Sequence, residues 1–282
     1  MNGRKVIKWN LIQINLSKMI HGNANSVIIE SYKASLGDEI QIKDTVKDLG
    51  ILASNDLLFK EHMNKIINSS KVIMGMLLRT FSTREKDPML KMYNTYIKSK
   101  MEYCCIVWSP VQQKYINELE KIQKSFTKKI NNMEEVDYHE RLKQLNLFSL
   151  ERRRDRYFII YGWQQLEGQK ENILKLKSRW NGRERRMIMT NIPNQANGKR
   201  LTSKEKNLIF NSPARQIQRL FNSIPAKLRN ITGVSTDTFK KHLDVWLNTV
   251  PDQPRGGGYS KWVAAETNSV RHQAVTMLQH RL

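Results

Sequence analysis

Cysteine is nearly absent from this chain of 282 residues: there are two, Cys104 and Cys105, and they are neighbours. Adjacent residues of a regular helix or strand point in different directions, so a disulfide between them is strained. Two thiols, six scattered histidines and no Cys-x-x-Cys spacing cannot supply a four-ligand structural zinc site. Both thiols are expected to pack as small hydrophobes in a reducing compartment. No run of about 18 apolar residues occurs, which leaves no membrane-spanning helix. The amino terminus has no apolar secretory core, so the expected location is intracellular, in nucleus or cytoplasm, with no membrane partner. Catalytic signatures are also missing. There is no Asp-Asp pair to hold two metal ions, no phosphate-cradling Gly-rich loop of the Walker kind, no Gly-x-Ser-x-Gly elbow and no His-Glu-x-x-His. Glu134-Glu135 stands between predicted helices and reads as a solvated connection.

Acidic residues are scarce too, 26 against 48 lysines and arginines, for a formal net charge of +22. Such an excess favours a polyanionic partner, nucleic acid first, over a merely solvated surface. Apolar residues make up 39%, below the usual globular share, yet the chain is long enough to bury one large core or two small ones.

The pattern predicts a mainly α protein with a small amino-terminal antiparallel sheet. Val27-Ile28-Ile29 and Tyr32 to Ser35 are extended-prone, Gly37-Asp38 supplies a turn, and Glu39 to Lys43 alternates. Val46 to Ala53 reads as the next strand, before the turn-prone Asn55-Asp56. Three short strands are marginal unless their apolar face is covered, so self-association through that sheet is expected.

Helices follow. Phe59, Met63, Ile66, Ile67, Ile73, Met74, Leu77, Leu78 and Phe81 recur every three or four residues from about Leu58 to Thr80. Asp87-Pro88 starts a second helix, whose stripe of Leu90, Tyr93, Tyr96, Ile97 and Met101 runs into Trp108 and stops at Pro110. A third carries Ile116, Leu119, Ile122, Phe126 and Ile130, with Lys121, Lys124, Lys128 and Lys129 as a basic row on its other face. Asp137 to about Asn146 is a short helix, and Ser149 caps one from Leu150 to about Leu166. Arg152, Arg153, Arg154 and Arg156 crowd its first two turns, where cations oppose the helix dipole. Either an anionic partner or a local Glu151 or Asp155 pairing explains that cost. Residues 167–207 read as a basic linker, 208–250 as a small helical unit whose last helix is capped by Ser235, and 251–282 as a loose tail. The resulting division is 1–55, 56–166, 167–207, 208–250 and 251–282.

The ordered series from Val46-Lys47-Asp48-Leu49-Gly50-Ile51-Leu52, through Met101-Glu102-Tyr103-Cys104-Cys105-Ile106-Val107-Trp108-Ser109-Pro110, to Arg152-Arg153-Arg154 resembles the end of a reverse transcriptase. The family is that of non-LTR (LINE) retrotransposons of the jockey and chicken-repeat type. Leu220-Phe221-Asn222-x-x-Pro225, Phe239-Lys240 and Val250-Pro251-Asp252 extend the likeness, which covers roughly residues 14 to 262. It implies a primer-grip and palm-edge remnant over 1–55, a thumb-like bundle over 56–166 and a carboxy-terminal region beyond. It also implies that the catalytic aspartates and their Mg²⁺ lie upstream of the matched part. The chain alone is therefore expected to have no cofactor and no polymerase activity. Asn15-Leu16-Ser17-Lys18 looks like an element whose lysine lies near the incoming nucleotide in the family; a plain surface lysine is the other reading of Lys18.

What remains is holding RNA or an RNA–DNA primer-template. Lysines and arginines neutralise phosphates, and the candidates are Lys121, Lys124, Lys128, Lys129, Arg152, Arg153 and Arg154. Tyr157 either stacks on an unpaired base or packs inward. The alternatives are a domesticated nucleic-acid-binding protein or a helical module for acidic protein partners.

Overall fold

The structure, a computed structural model, describes residues 17–18, 41–189, 195–196, 199–200, 202–254 and 268–279. The protein is mainly α with a small antiparallel sheet near its amino terminus. It divides into two compact units, Met1–Lys65 and Ile66–Leu282.

In the first unit β1 (Ser17–Lys18) pairs in parallel with β2 (Gln41–Ile42). Most of the strands expected between 27 and 43 lie outside the described residues. Val46 to Ala53 is not one strand, as expected, but a hairpin of β3 (Thr45–Asp48) and β4 (Ile51–Ser54). Leu49 and Gly50, both at positive φ (43° and 89°), make its two-residue turn. Two positive φ values in succession match the right-handed twist of the strands they join. Gly50 was the signal inside the run. The Leu52 N–H donates to His62 Nδ1 at 3.2 Å, tying the hairpin to the first turns of α1 (Lys60–Thr80).

α1 buries Met63, Ile66, Ile67, Ser70 and Leu77, at the spacing its apolar stripe predicts. α2 (Lys86–Met92) begins just before the expected Asp87-Pro88, and Glu85 is its cap. It continues through a π-helical turn, Tyr93–Lys98, into α3 (Ser99–Glu102). The helix then breaks instead of running to Trp108: Cys104 adopts a left-handed conformation (φ 49°) and α4 (Cys105–Trp108) starts anew. Cys104 is consequently exposed, against expectation, while Cys105 is buried and its thiol is pushed up to about 12 by burial. Tyr93 hydrogen-bonds Gln123 at 2.7 Å and lies 5.4 Å from the Phe126 ring, which connects this segment to α5 (Gln113–Thr127).

α6 (Tyr138–Gln144) is capped by Asp137, which accepts from the His139 N–H. α7 (Leu150–Leu166) is capped by Ser149, as the sequence predicts. α7 is the spine of the second unit, and no boundary falls at 167. Its Phe158, Ile159, Ile160 and Trp163 share one core with the residues that follow. Residues 176–189 are not a linker but a hairpin, β5 (Leu176–Trp180) and β6 (Arg185–Met189). Leu176 and Met187 point into the core while Lys177, Ser178, Arg179 and Trp180 are exposed, so little apolar signal marks it. Two side-chain amides serve as neighbours for β6. Asn222 Oδ1 accepts from the Met187 N–H and its Nδ2 donates to the Met187 carbonyl, both at 2.9 Å. Asn230 does the same with the Arg185 N–H and the Arg183 carbonyl.

Beyond β7 (Gln195–Ala196) and β8 (Lys199–Arg200) come α8 (Ser203–Asn211), α9 (Pro213–Ser223), α10 (Ala226–Arg229) and α11 (Thr236–Leu247). α9 contributes Ile217, Leu220 and Phe221 to the core and α11 contributes Phe239, Leu243 and Leu247. Trp163 stacks on Phe239, with centroids 4.4 Å apart and planes 4° from parallel. α7 and α9 approach so closely that a Cβ on Gly162 would lie 2.4 Å from Ile217 Cγ2 and 2.9 Å from Met187 Cε. Gly162→Ala must separate the helices or displace both side chains. It is expected to lower stability by about 1–3 kcal/mol despite alanine's better helix propensity, read as a fall in thermal midpoint.

The tail expected to be loose is pinned where described. Asp252 accepts from the Ser149 N–H (2.8 Å) and hydroxyl (2.7 Å) and from Asn268 Nδ2 (2.7 Å). α12 (Val270–Gln279) starts against α7: Asp155 Oδ2 accepts from the Ser269 hydroxyl and the Val270 N–H, both at 2.8 Å.

Candidate nucleic-acid interface

The basic row of α5 stands where the sequence puts it. Lys121, Lys124, Lys128 and Lys129 are all exposed, opposite the buried face of Leu119, Ile122 and Phe126. Lys121, Lys124 and Lys128 follow one another at helical spacing, and Lys129 sits in the turn after the helix end. Lys121 pairs with Glu118, which also takes Lys71 at 3.1 Å and is held below its usual pKa by these lysines. Lys124, Lys128 and Lys129 have no carboxylate partner among the described residues. Clustered at the carboxy-terminal end of α5, they also complement its dipole. Lys124 Nζ lies 6.0 Å from the Tyr138 ring centroid.

The arginines of α7 are placed differently. Arg152 is 1% exposed, and its guanidinium faces protein. It donates to the carbonyls of Leu247 (2.8 Å), Val250 and Pro251, with Asp252 at 3.4 Å from Nε. Leu247 is the last residue of α11 and Val250 and Pro251 follow in the turn that leaves it, so the arginine at one helix's start serves another helix's finish. Two more buried arginines do the same. Arg141 donates to the Lys124, Met133 and Val136 carbonyls at and beyond the end of α5. Arg229 donates to the Asn222 and Ile224 carbonyls that end α9. A charge-assisted bond to a buried carbonyl is among the stronger polar contacts a fold makes.

Arg154 is buried as well, with Glu120 and Asp155 within reach of its charge and Nη2 without a hydrogen-bond partner. Arg153 is half-buried and paired bidentately with Glu102, which outweighs the desolvation of its guanidinium and holds it charged. The Tyr157 hydroxyl donates to Glu102 at 2.9 Å and accepts from Arg153; burial, then the Glu102 charge, raises its pKa. Arg156 pairs with Asp244. The expectation that Arg152, Arg153, Arg154 and Tyr157 form a phosphate-binding surface is therefore corrected. Arg152 is engaged by Asp252 and carbonyls, and Arg153 and Tyr157 by Glu102. Buried Arg154 lies within reach of the Glu120 and Asp155 charges, so the local Asp155 pairing considered from sequence contributes. The cost of cations at the α7 start is offset inside the protein. A cleft of about 770 Å³ opens beside Arg152, Arg153 and Arg156, but each of these cations is already engaged.

The Lys18 side chain lies outside the described residues. Among those described, no group of three or more His, Cys, Asp or Glu side chains could hold a metal ion, and no helix is long and apolar enough to cross a membrane. A cationic cluster that the sequence reading missed lies on α9 and α12, where Arg215 and Arg219 stand one turn apart, a spacing legible in the sequence.

Fold and surface together define a mainly α protein with an exposed lysine row. No family model and no solved structure matches the chain. A stretch of 119 residues, 41% of the chain, is 29% identical to an uncharacterized protein of Caenorhabditis elegans and covers 60% of that protein's length.

Proposed function

We propose that this chain is the carboxy-terminal part of a LINE-type reverse transcriptase, a thumb-like module that holds RNA or an RNA–DNA primer-template by charge and does no chemistry alone. The observation that carries the reading is the α5 lysine row: three exposed cations on one edge with no carboxylate partner among the described residues. The ordered likeness from Val46 to Trp163 supports the family, and the net charge of +22 supports the partner. No base-reading motif accompanies the row, so binding follows shape and charge. A domesticated gene product would present the same surface.

Lys124→Gln/Lys128→Gln/Lys129→Gln is expected to reduce the slope of log K against log salt by about 2 to 3 on a duplex, since each lost phosphate contact removes about 0.9. Losing their small dipole complement at these exposed positions should lower the thermal midpoint by no more than a few degrees, leaving the chain folded. An unaltered slope removes α5 from the interface. Primer extension with Mg²⁺ or Mn²⁺ by the pure chain is expected to give no product, and any turnover contradicts the assignment. A helical module for acidic proteins would instead bind nucleic acid weakly and without salt dependence.

A further inference from the structure

The α7 arginines left the interface because each has a partner or is buried, and the same test selects another set. Arg215 and Arg219 project from α9 one turn apart, and Arg271 is exposed in the first turn of α12, which packs on α9. None of the three has a carboxylate partner among the described residues. Arg215 uses one guanidinium nitrogen on the Gln218 amide oxygen at 3.0 Å. Arg219 lies flat enough on Phe210 that its Cζ is 3.4 Å from the ring centroid. Phe210, at the end of α8, remains 54% exposed.

The cost of this arrangement is visible. Burial, then the charges of Arg271 and Arg215, push the Arg219 pKa down, so three like charges are gathered without an anion. Arg271 sits at a helix amino terminus, where the dipole opposes it. At α7 such a cost is offset by carbonyls and carboxylates; here the described residues offer neither. Stacking fixes the guanidinium plane while leaving its N–H donors, which lie in that plane, directed outward. That geometry matches a phosphate oxygen pair. The exposed remainder of the Phe210 ring is a sequence-tolerant platform for an unpaired base.

We infer that Phe210, Arg215, Arg219 and Arg271 form a second nucleic-acid site, separate from the α5 row, that takes the phosphodiester backbone of a single strand and stacks one of its bases. This rests on the nucleic-acid reading above and adds the strand type and the place.

The test uses the full chain and a fluorescein-labelled 12-nucleotide oligouridylate, followed by anisotropy across a salt series. Arg215→Gln/Arg219→Gln/Arg271→Gln should flatten the slope by about 2, at about 0.7 for each single-strand phosphate contact. Phe210→Ala should weaken binding about tenfold at fixed salt and leave the slope unchanged. Arg271→Gln alone, at an exposed position, should keep the parental melt and still lower the slope, which separates binding from folding. A steep parental slope that only the α5 variant reduces overturns this site and leaves the proposed function standing. A flat parental slope overturns both. Arginine-dependent binding that ignores Phe210→Ala overturns the stacking and fits a charge-only surface such as an acidic peptide would use.

Discussion

Arg152→Ala is expected to destabilise the protein by about 3–5 kcal/mol, the usual cost of removing one partner from a buried charged network. Three carbonyls, those of Leu247, Val250 and Pro251, lose the guanidinium, Leu247 keeping the Val250 N–H, and Asp252 loses the cation beside it. The damage spreads because the same Asp252 holds Ser149, the cap of α7, and Asn268, which leads into α12. A thermal melt should show the midpoint falling by on the order of 10 °C. Arg152→Lys should recover only part, since an ammonium cannot span several carbonyls as a guanidinium fork does. If Arg152→Ala instead melts like the parent and loses affinity for nucleic acid, the residue is a phosphate ligand and its burial in α11 carbonyls is incidental.

The second large effect is on pH. Glu120 and Asp155 are both buried, and both have carboxyls pushed up to about 7. For Glu120 the cause is burial, opposed by the Tyr138 hydroxyl at 2.6 Å and the Arg154 charge. For Asp155 it is burial and then the Glu151 charge, opposed by Ser269, Val270 and Arg154. The folded protein therefore keeps two protons that the unfolded chain releases near pH 4. Their contribution is fully present below that pH and is lost as pH rises to about 7. Between pH 5.5 and 7 each carboxyl costs about 2 kcal/mol. His139 works the other way: burial lowers its pKa, so the unfolded chain protonates it first as pH falls, which trims the change below about 6.5. The melting temperature should fall from pH 5.5 to pH 8. Glu120→Gln/Asp155→Asn should flatten the profile and make the variant more stable than the parent at pH 8. Equal parental midpoints at the two pH values would mean that these carboxyls are ionised throughout.

What could be read from sequence was periodic and local. The stripe from Met63 to Leu77, the lysines opposite Leu119 and Ile122, and the Ser149 cap are each defined within one or two turns, and each stands in the structure. What could not be read depends on partners far along the chain. Arg152 meets Val250, 98 positions away, so at the start of α7 it looked like a cation in need of an anion. The hairpin 176–189 is held by Asn222 and Asn230 and buries few apolar side chains, so its composition is that of a linker. Breaks inside good helical patterns were hidden as well: Cys104 is a non-glycine residue at positive φ, which no propensity flags. Of the candidate site, the α5 row was legible and the α7 cluster misleading. An arginine's identity says nothing about whether its partner is a phosphate or a carbonyl.

The measurement that bears most directly on the central claim is the affinity of the full chain for a labelled RNA–DNA hybrid and for single-stranded RNA across a salt series. Several phosphate contacts through Lys124, Lys128, Lys129 and their neighbours predict a slope steeper than about −3 on the hybrid, with the hybrid preferred at every salt concentration. Weak binding that does not change with salt would contradict the account and leave a helical module for protein partners.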